Sequence, residues 1–470
     1  MEGTATDESE GVQSHSGRRS VDLDLLRKYD VPVPRYTSYP TALQFDESVD
    51  ESAVAERLAS ESEPGRPLSL YFHIPFCRQL CWYCACNRVI SKDRAGSNDY
   101  VDRLISEVDR KLPLIGGREV VQLHFGGGTP TFLPPEEIRR LGAYLKDVFE
   151  FRQDAEVGVE IDPRQCSREQ VDALRQAGFN RASVGVQDHN PKVQEAIHRR
   201  QPFDLTKKVV GWLERADFRS VNFDLIYGLP HQTIESFRST LNDVLSLHPD
   251  RLAVYSYAHV PWLHPAQKLL EGEALPEAET KLGLLKQTIE RLTEAGYRYI
   301  GLDHFARPGD DLADALRDGS LRRNFQGYST FGGTDVHAFG MSGISQTASM
   351  YFQNEKELEA YEARLDEGGL PILRGYVLSE DDRIRQAVIE QVMCQRHIDF
   401  EALSERFGID FEAYFAGELD ALSGVESDGL VKRRPSGLEI TPTGRLFLRN
   451  IAVHFDAYFE SDENRFSKSV

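Results

Sequence analysis

From residue 68 to about residue 306, short apolar runs alternate with amphipathic ones, and no other feature limits the possible folds so strongly. LSLYFHI, VVQLHFGG, AEVGVEID, RASVGVQD, VNFDLIYG and RLAVYSYAH have the length and residue types of strands, with YRYIGLDHFA as a further candidate. Between them, SNDYVDRLISEVDRKL, PEEIRRLGAYLKDVFE, SREQVDALRQAG, IESFRSTLNDVLSL and AETKLGLLKQTIERLTEAG carry apolar residues at helical spacing. Several open on a capping residue and close near glycine. Six or seven such βα units predict an α/β fold with a mostly parallel sheet.

The strand ends carry the chemistry. Cys77 follows YFHIPF, Glu160 and Asp162 close VGVEID, Gln187 and Asp188 close VGVQD, Asp224 interrupts VNFDLIYG, and Tyr257 and His259 close VYSYAH. A single polar residue at a strand end is usually a loop residue or a helix cap. Polar residues at the same end of successive parallel strands predict a shared site on the rim of a barrel. Past about residue 375 the pattern becomes helical, in SEDDRIRQAVIEQVMCQ, DFEALSERFG and FEAYFAGELDALSGV, followed by a hairpin and a helix. The predicted organisation is a disordered polar tail over 1–20, a catalytic domain with an N-terminal extension over 21–375, and a mostly helical domain over 376–470.

The chain of 470 residues is 40% hydrophobic, enough for a large core, and carries a formal net charge of −20. That charge disfavours nucleic acid and acidic membranes, because its field repels phosphate. No apolar run approaches the roughly 20 residues of a membrane span, and the N-terminus lacks the apolar core of a secretory signal. A cytoplasmic protein is expected, and there a disulfide framework is improbable. Four of the six cysteines, Cys77, Cys81, Cys84 and Cys86, nevertheless fall within ten positions. Structural zinc usually takes two close pairs of ligands from separate turns, and no second pair exists: Cys166 and Cys394 are isolated. A C-x3-C-x2-C spacing lets three thiolates of one loop face three corners of an iron–sulfur cubane, leaving one iron open.

These residues resemble a known family. C-x3-C-x2-C just after the first strand, with HFGGGTPT at 124–131 after the second, resembles the radical S-adenosylmethionine (SAM) superfamily. RYTSYPT, YFHIPFCRQLCWYCACN, HFGGGTPTFL, VEIDPR, SVGVQD, DLIYGLP, YAHVP, GLDHFARP and RNFQGYST together resemble, within it, the oxygen-independent coproporphyrinogen III oxidases of haem biosynthesis. The resemblance implies a partial (β/α)6 TIM-like barrel of the radical SAM type with a mostly helical C-terminal domain. It implies a [4Fe–4S] cluster on Cys77, Cys81 and Cys84, and SAM contacts at Tyr71, Tyr83, Gly127, Gly128, Thr129, Glu160, Gln187, Arg199, Asp224 and Ala258. A second SAM is expected near Gln326 and Ile344.

The implied reaction removes a hydrogen from the β-carbon of a propionate, a C–H too weakly acidic for any side-chain base, so a cofactor must supply a radical. The resemblance assigns that step to a 5′-deoxyadenosyl radical from reductively cleaved SAM. Loss of CO2 and one electron then leaves a vinyl group, and two rounds turn coproporphyrinogen III into protoporphyrinogen IX. An external one-electron donor protein and an electron acceptor are implied, and a monomer is expected. Arg35, Arg307, Arg322 and Arg323 are candidates for holding the substrate carboxylates. Cys86, which as a fourth thiolate would close the open iron, is expected not to bind the cluster and is read as a catalytic residue near the radical or substrate, or else as a small buried residue. Two other readings remain: a related haem chaperone without decarboxylase activity, though RYTSYPT and the fourth cysteine speak for the oxidase, and a zinc-stabilised binding protein.

Overall fold

Alternation within each strand decides how the sheet is used. The computed structural model describes residues 21–60, 66–460, 466 and 468, so the predicted tail over 1–20 lies outside the described residues. Six strands, β1 (Leu68–Ile74), β2 (Val120–Gly127), β3 (Phe151–Ile161), β4 (Arg181–Gln187), β5 (Ser220–Tyr227) and β6 (Arg251–Ser256), lie side by side in chain order and run parallel. In β3, Val157, Val159 and Ile161 are buried while Glu156 and Glu160 are partly open; in β4, Ala182, Val184 and Val186 alternate with Arg181, Ser183 and Gln187 in the same way. The apolar set packs outward beneath the helices, and the polar set faces the concave side of the sheet.

Six helices cover the outer face: α1 (Ala95–Ile115), α2 (Pro135–Val148), α3 (Arg168–Ala177), α4 (Phe203–Arg215), α5 (Ile234–Ser246) and α6 (Ala278–Glu294). Helix α3 starts on a capping box of Ser167 and Gln170, and α5 on one of Thr233 and Ser236.

Both edges of the parallel block are extended, and the barrel stays open. Beside β6 runs His304–Ala306, antiparallel, followed by Arg298–Gly301. The candidate strand YRYIGLDHFA is therefore two short strands that fold back on each other, with Leu302 at φ 49° between them. On the other edge, Asp335–Phe339 pairs with β1 in parallel, and Ile344–Gln346, Met350–Asn354 and Ile372–Val377 continue antiparallel to complete a twelve-stranded sheet. The sequence reading did not identify these four strands. Beyond them come the helix Glu380–Cys394, several shorter helices, and a hairpin of Val431–Arg434 and Gly437–Ile440. His397–Asp399 adds a third strand to that hairpin.

A buried charge pair fastens the added strands to the barrel. Glu107 and Lys111 of α1 are fully buried and 2.6 Å apart, and Lys111 also donates to the Ala338 carbonyl at 2.8 Å. Glu107 accepts from the Gly340 N–H at 2.7 Å, the Tyr361 hydroxyl at 2.8 Å and the Asn354 amide at 2.8 Å. The carboxylate is thus surrounded by donors from three separate segments. Lys111→Met leaves that carboxylate buried without its counterion, and a loss of about 3–5 kcal/mol is expected in chemical denaturation.

Candidate active site

At the end of β1 the chain enters the cysteine loop, which neighbouring strand ends hold in place. Phe76–Cys77 pairs with Val89–Ile90, and the Trp82 and Cys84 N–H groups donate to the Ile197 and Cys81 carbonyls, each at 3.1 Å. Gln267 donates to the Tyr83 carbonyl at 3.2 Å, and the Trp82 ring stacks on His198 at 5.1 Å. Tyr83 itself packs against Val193, Ile197, Leu229, Tyr257 and Leu270. The glycine turn after β2 lies directly against the loop. A Cβ on Gly128 would fall 2.3 Å from the Pro75 carbonyl oxygen, and one on Gly127, at φ +115°, would fall 2.8 Å from the His73 ring. Gly127 and Gly128 are therefore required for close backbone approach to the cysteine loop, whatever else they meet. Thr129 follows, with its hydroxyl 3.3 Å from the Cys77 sulfur.

All six cysteines are free thiols. Beside the loop, Arg164 donates to the Cys81 sulfur at 3.2 Å and Arg199 at 3.7 Å. Asp162 bridges the two guanidiniums, at 2.7 Å from Arg164 and 3.1 Å from Arg199. Burial alone would raise the Asp162 carboxyl, but Arg199 and Arg164 hold it at about 2. Arg199 also donates to the Gly185 carbonyl at 2.8 Å, so the guanidinium that sequence reading assigned to SAM is largely engaged by the protein. Arg199 Nε and Arg164 Nη1 remain buried without an acceptor among the described residues. Arg164 was missed from sequence, although it stands in VEIDPR immediately after the strand. Cys86 is exposed as a residue, and the charged neighbours of its thiol are Cys84, Glu160 and Cys77. The neighbouring Cys86 thiol and the Arg88 charge lower the Cys84 thiol from its ordinary value. Among the described residues, no three Cys, His, Asp or Glu side chains converge closely enough to hold a single ion.

Below the loop, the concave face of the sheet is polar. The Tyr71 ring stacks on His124 at 6.1 Å, and its hydroxyl lies 3.2 Å from His73 Nδ1. Glu160 accepts from the Gly127 N–H at 3.2 Å and stands 3.5 Å from His124. Asp224 accepts from Ser183 at 2.5 Å and from Asn222 at 2.9 Å. Burial, with the Glu160 charge nearby, raises its carboxyl to about 6. His124, Glu160, Ser183, Asn222 and Asp224 line a cavity of about 180 Å³, which Tyr255, His304, Gln326 and Tyr328 also line; Tyr71 and His73 lie beside it, through the Tyr71–His124 stack.

Gln187, Ala258 and Ile344, expected at the site, are not part of this cavity's lining. Gln187 ends β4 at φ 65°, and Ala258 lies two residues beyond β6. Ile344 is on an added edge strand, packed with Phe45, Tyr351, Leu378 and Phe325, the neighbour of Gln326. Asp188 is fully buried and held by Gln232 and Thr240, which fits a structural role. Of the four arginines, Arg35 is bound to Asp303 and lies 5.9 Å from the Tyr255 ring. Arg307 stands 3.8 Å from Asp250, at the strand ends opposite the cysteines.

Comparison with known proteins decides the family. Residues 71–244 match the model of the radical SAM superfamily, and residues 378–447 that of the HemN C-terminal domain. The oxygen-independent coproporphyrinogen III oxidase of Salmonella typhimurium is 47% identical over 437 residues, covering 93% of this chain and 95% of the relative. That of Pseudomonas aeruginosa is 46% identical over 453 residues, covering 96% and 98%. The structure of coproporphyrinogen III oxidase (HemN) from Escherichia coli, described as a radical SAM enzyme, superposes with a TM-score of 0.89 at 44% identity, covering 94% of this chain and all of that one. The chain belongs to the oxygen-independent coproporphyrinogen III oxidase family.

Oxygen-independent coproporphyrinogen III oxidases are radical SAM enzymes, with a [4Fe–4S] cluster and SAM as cofactors, and the residues present fit both. Three thiols of one loop, with cationic donors beside Cys81, suit a thiolate-bound cluster, and the unpartnered Arg164 and Arg199 nitrogens are further donors next to it. The polar cavity, with the carboxylates of Glu156, Glu160 and Asp224 and aromatic walls, suits a nucleoside sulfonium. Asp224 offers a test of the cavity's electrostatics in this oxidase fold. Its carboxyl is raised to about 6 when folded, so ionising it opposes folding. The penalty is complete above about pH 6 and absent below about pH 4. Asp224→Asn is therefore expected to melt higher than the parent at pH 8, with the difference shrinking as pH falls from 6 to 4.

Proposed function

We propose that this chain catalyses the oxygen-independent oxidative decarboxylation of two propionate side chains of coproporphyrinogen III to vinyl groups, yielding protoporphyrinogen IX. The reading rests on identity of 45–47% to oxidases of that name over nearly the whole chain. It accords with a cysteine loop and glycine turn linked to the polar cavity through the Gly127–Glu160 hydrogen bond. When bound, the reduced cluster and SAM supply the hydrogen-abstracting radical that no side chain can provide.

The protein's own groups then have distinct tasks. Cys77, Cys81 and Cys84 hold the cluster, and Arg164 and Arg199 offset the charge of Cys81 through Asp162-anchored hydrogen bonds. Gly127, Gly128 and Thr129 hold the loop at the strand ends, against His73, Pro75 and Cys77. Tyr71, Tyr83, Gln187, Arg199 and Ala258 line the approach to SAM. Glu160 has one oxygen on the Gly127 N–H and the other towards the cavity, placed to accept from the SAM ammonium; Asp224 is placed to accept from ribose hydroxyls. Gln326 and Ile344, joined through Phe325, mark the place of a second SAM. Cys86 stays off the cluster and acts at the loop's open surface.

We assign residues 21–375 to the catalytic domain and 376–470 to a C-terminal domain. No described helix is long and apolar enough to cross a membrane. A monomer working in the cytoplasm, with a one-electron donor protein and a separate electron acceptor, completes the proposal.

Anaerobic assay of the reconstituted protein with coproporphyrinogen III, SAM and a reductant tests the function. Protoporphyrinogen IX with two CO2 per product is expected, and intact substrate alongside bound haem would favour the chaperone reading instead. Iron and sulfide analysis tests the ligands. Cys77→Ala, Cys81→Ala and Cys84→Ala are each expected to lose the four-iron cluster, whereas Cys86→Ser keeps it, binds SAM and loses most product formation. Glu160→Ala is expected to keep the cluster and weaken SAM binding about tenfold to a hundredfold, the effect of a lost charged hydrogen bond. Wild-type SAM affinity in that variant would refute the carboxylate's assignment.

A further inference from the structure

A second cavity, of about 720 Å³, adjoins the polar one on the side of the added strands and has the size of a small-molecule site. Its walls come from the Tyr36–Tyr39 segment, the hairpin of Arg322–Asn324 and Gly327–Ser329, the edge strands, and the helix Glu380–Cys394. Asn324 lines both cavities, so the hairpin forms the partition between them. In a chain of net charge −20, this cleft gathers Arg66, Arg322, Arg323, Arg383 and Arg406.

The arginines differ in what they meet. Arg66 is 2.6 Å from Asp335, and Arg322 is 3.7 Å from Glu390. Arg383, on the helix Glu380–Cys394 that also lines the cleft, has no ion pair among the described residues, and Arg406 lies over the Phe407 ring at 4.9 Å. Arg323 is the informative one. Its guanidinium lies 5.0 Å over the Tyr328 ring, with Nε and Nη1 buried and without an acceptor among the described residues. Buried guanidinium N–H groups without acceptors are costly, and an oxyanion that accepts from one of them offsets that cost with a charge-assisted hydrogen bond. The carboxylates present do not fill this role: Glu390 faces Arg322 and Arg406, and Glu380 lines the rim. Gln346 Oε1, a buried acceptor without a partner, also lines the cleft and could receive a donor of the same ligand.

We propose that this cleft receives the propionate carboxylates of the tetrapyrrole substrate, with Arg323 holding one of them at the partition and Arg383 meeting another from the helix Glu380–Cys394. The proposal rests on the functional reading above and names the part of the site that reading leaves without residues. A macrocycle held here by its carboxylates has the hairpin, and beyond it the polar cavity, on one side. Of the four arginines expected from sequence, this keeps Arg323 as a direct substrate ligand; Arg35 and Arg307 are already engaged by Asp303 and Asp250.

The test uses the full-length reconstituted protein and coproporphyrin III, the stable oxidised tetracarboxylate, with its tetramethyl ester as control; binding is followed by quenching of porphyrin fluorescence. The parent is expected to prefer the acid to the ester at least tenfold. Arg323→Gln should reduce affinity for the acid at least tenfold while leaving the ester and iron content unchanged. Arg323→Lys should recover part of the loss, and Arg383→Gln, at an exposed position where misfolding is not a concern, should weaken the acid a few-fold. In turnover, Arg323→Gln should raise KM for coproporphyrinogen III more than it lowers kcat. A parent that turns over coproporphyrinogen III and prefers the acid, together with Arg323→Gln and Arg383→Gln variants of parental affinity, would overturn the cleft assignment alone. A parent that neither turns over the substrate nor distinguishes acid from ester would overturn the functional reading, and this proposal with it.

Discussion

The arrangement of this protein depends on one close approach: the Gly127–Gly128 turn at the end of β2 lies flat against the Pro75–Phe76 backbone at the start of the cysteine loop. At Gly128, a single methyl group would collide with the Pro75 carbonyl at 2.3 Å. Once that contact forms, much else follows from chain connectivity. Thr129 comes within reach of Cys77, the Gly127 N–H meets Glu160, and the loop is fixed over the open ends of the strands. The two glycines are thus a steric condition for placing the thiols beside Glu160 and the strand ends.

A second constraint shapes the cavity. Parallel strands normally bury both faces, and small barrels fill their interior with branched apolar side chains. Here only the outer face is apolar. Inward positions carry Tyr71, His124, Glu160, Ser183, Asn222, Asp224 and Tyr255, and the sheet does not close, so room remains for ligands. Cations are concentrated where anions must be held, beside the thiols at Arg164 and Arg199 and in the cleft at Arg323, within a chain whose overall charge is strongly negative.

Much of this was legible in the sequence. The six parallel strands announced themselves because each combines an outward apolar series with inward polar residues, and the polar residues that end them do gather at one rim. Local spacing revealed the cysteine loop. The added strands from Asp335 to Val377 were not legible: they are three to six residues long and cut by turns, below the length at which periodicity speaks. Roles set by tertiary partners were also hidden. Asp188 resembled a site residue but is consumed by Gln232 and Thr240, Arg199 is held by Asp162, and Arg164 passed unnoticed because only folding brings it to Cys81. Cys86 allowed two readings, a small residue beneath the loop or a group near the radical or substrate, and no spacing in the sequence decides between them.

The central claim is that the cysteine loop and the polar cavity form one site at which a hydrogen leaves the β-carbon of a substrate propionate. Coproporphyrinogen III carrying deuterium at those β-carbons tests it directly, with mass analysis of the 5′-deoxyadenosine formed in a single turnover. The account predicts one deuterium in the recovered 5′-deoxyadenosine for each vinyl group made. Unlabelled 5′-deoxyadenosine accompanying full conversion to the vinyl product would contradict it.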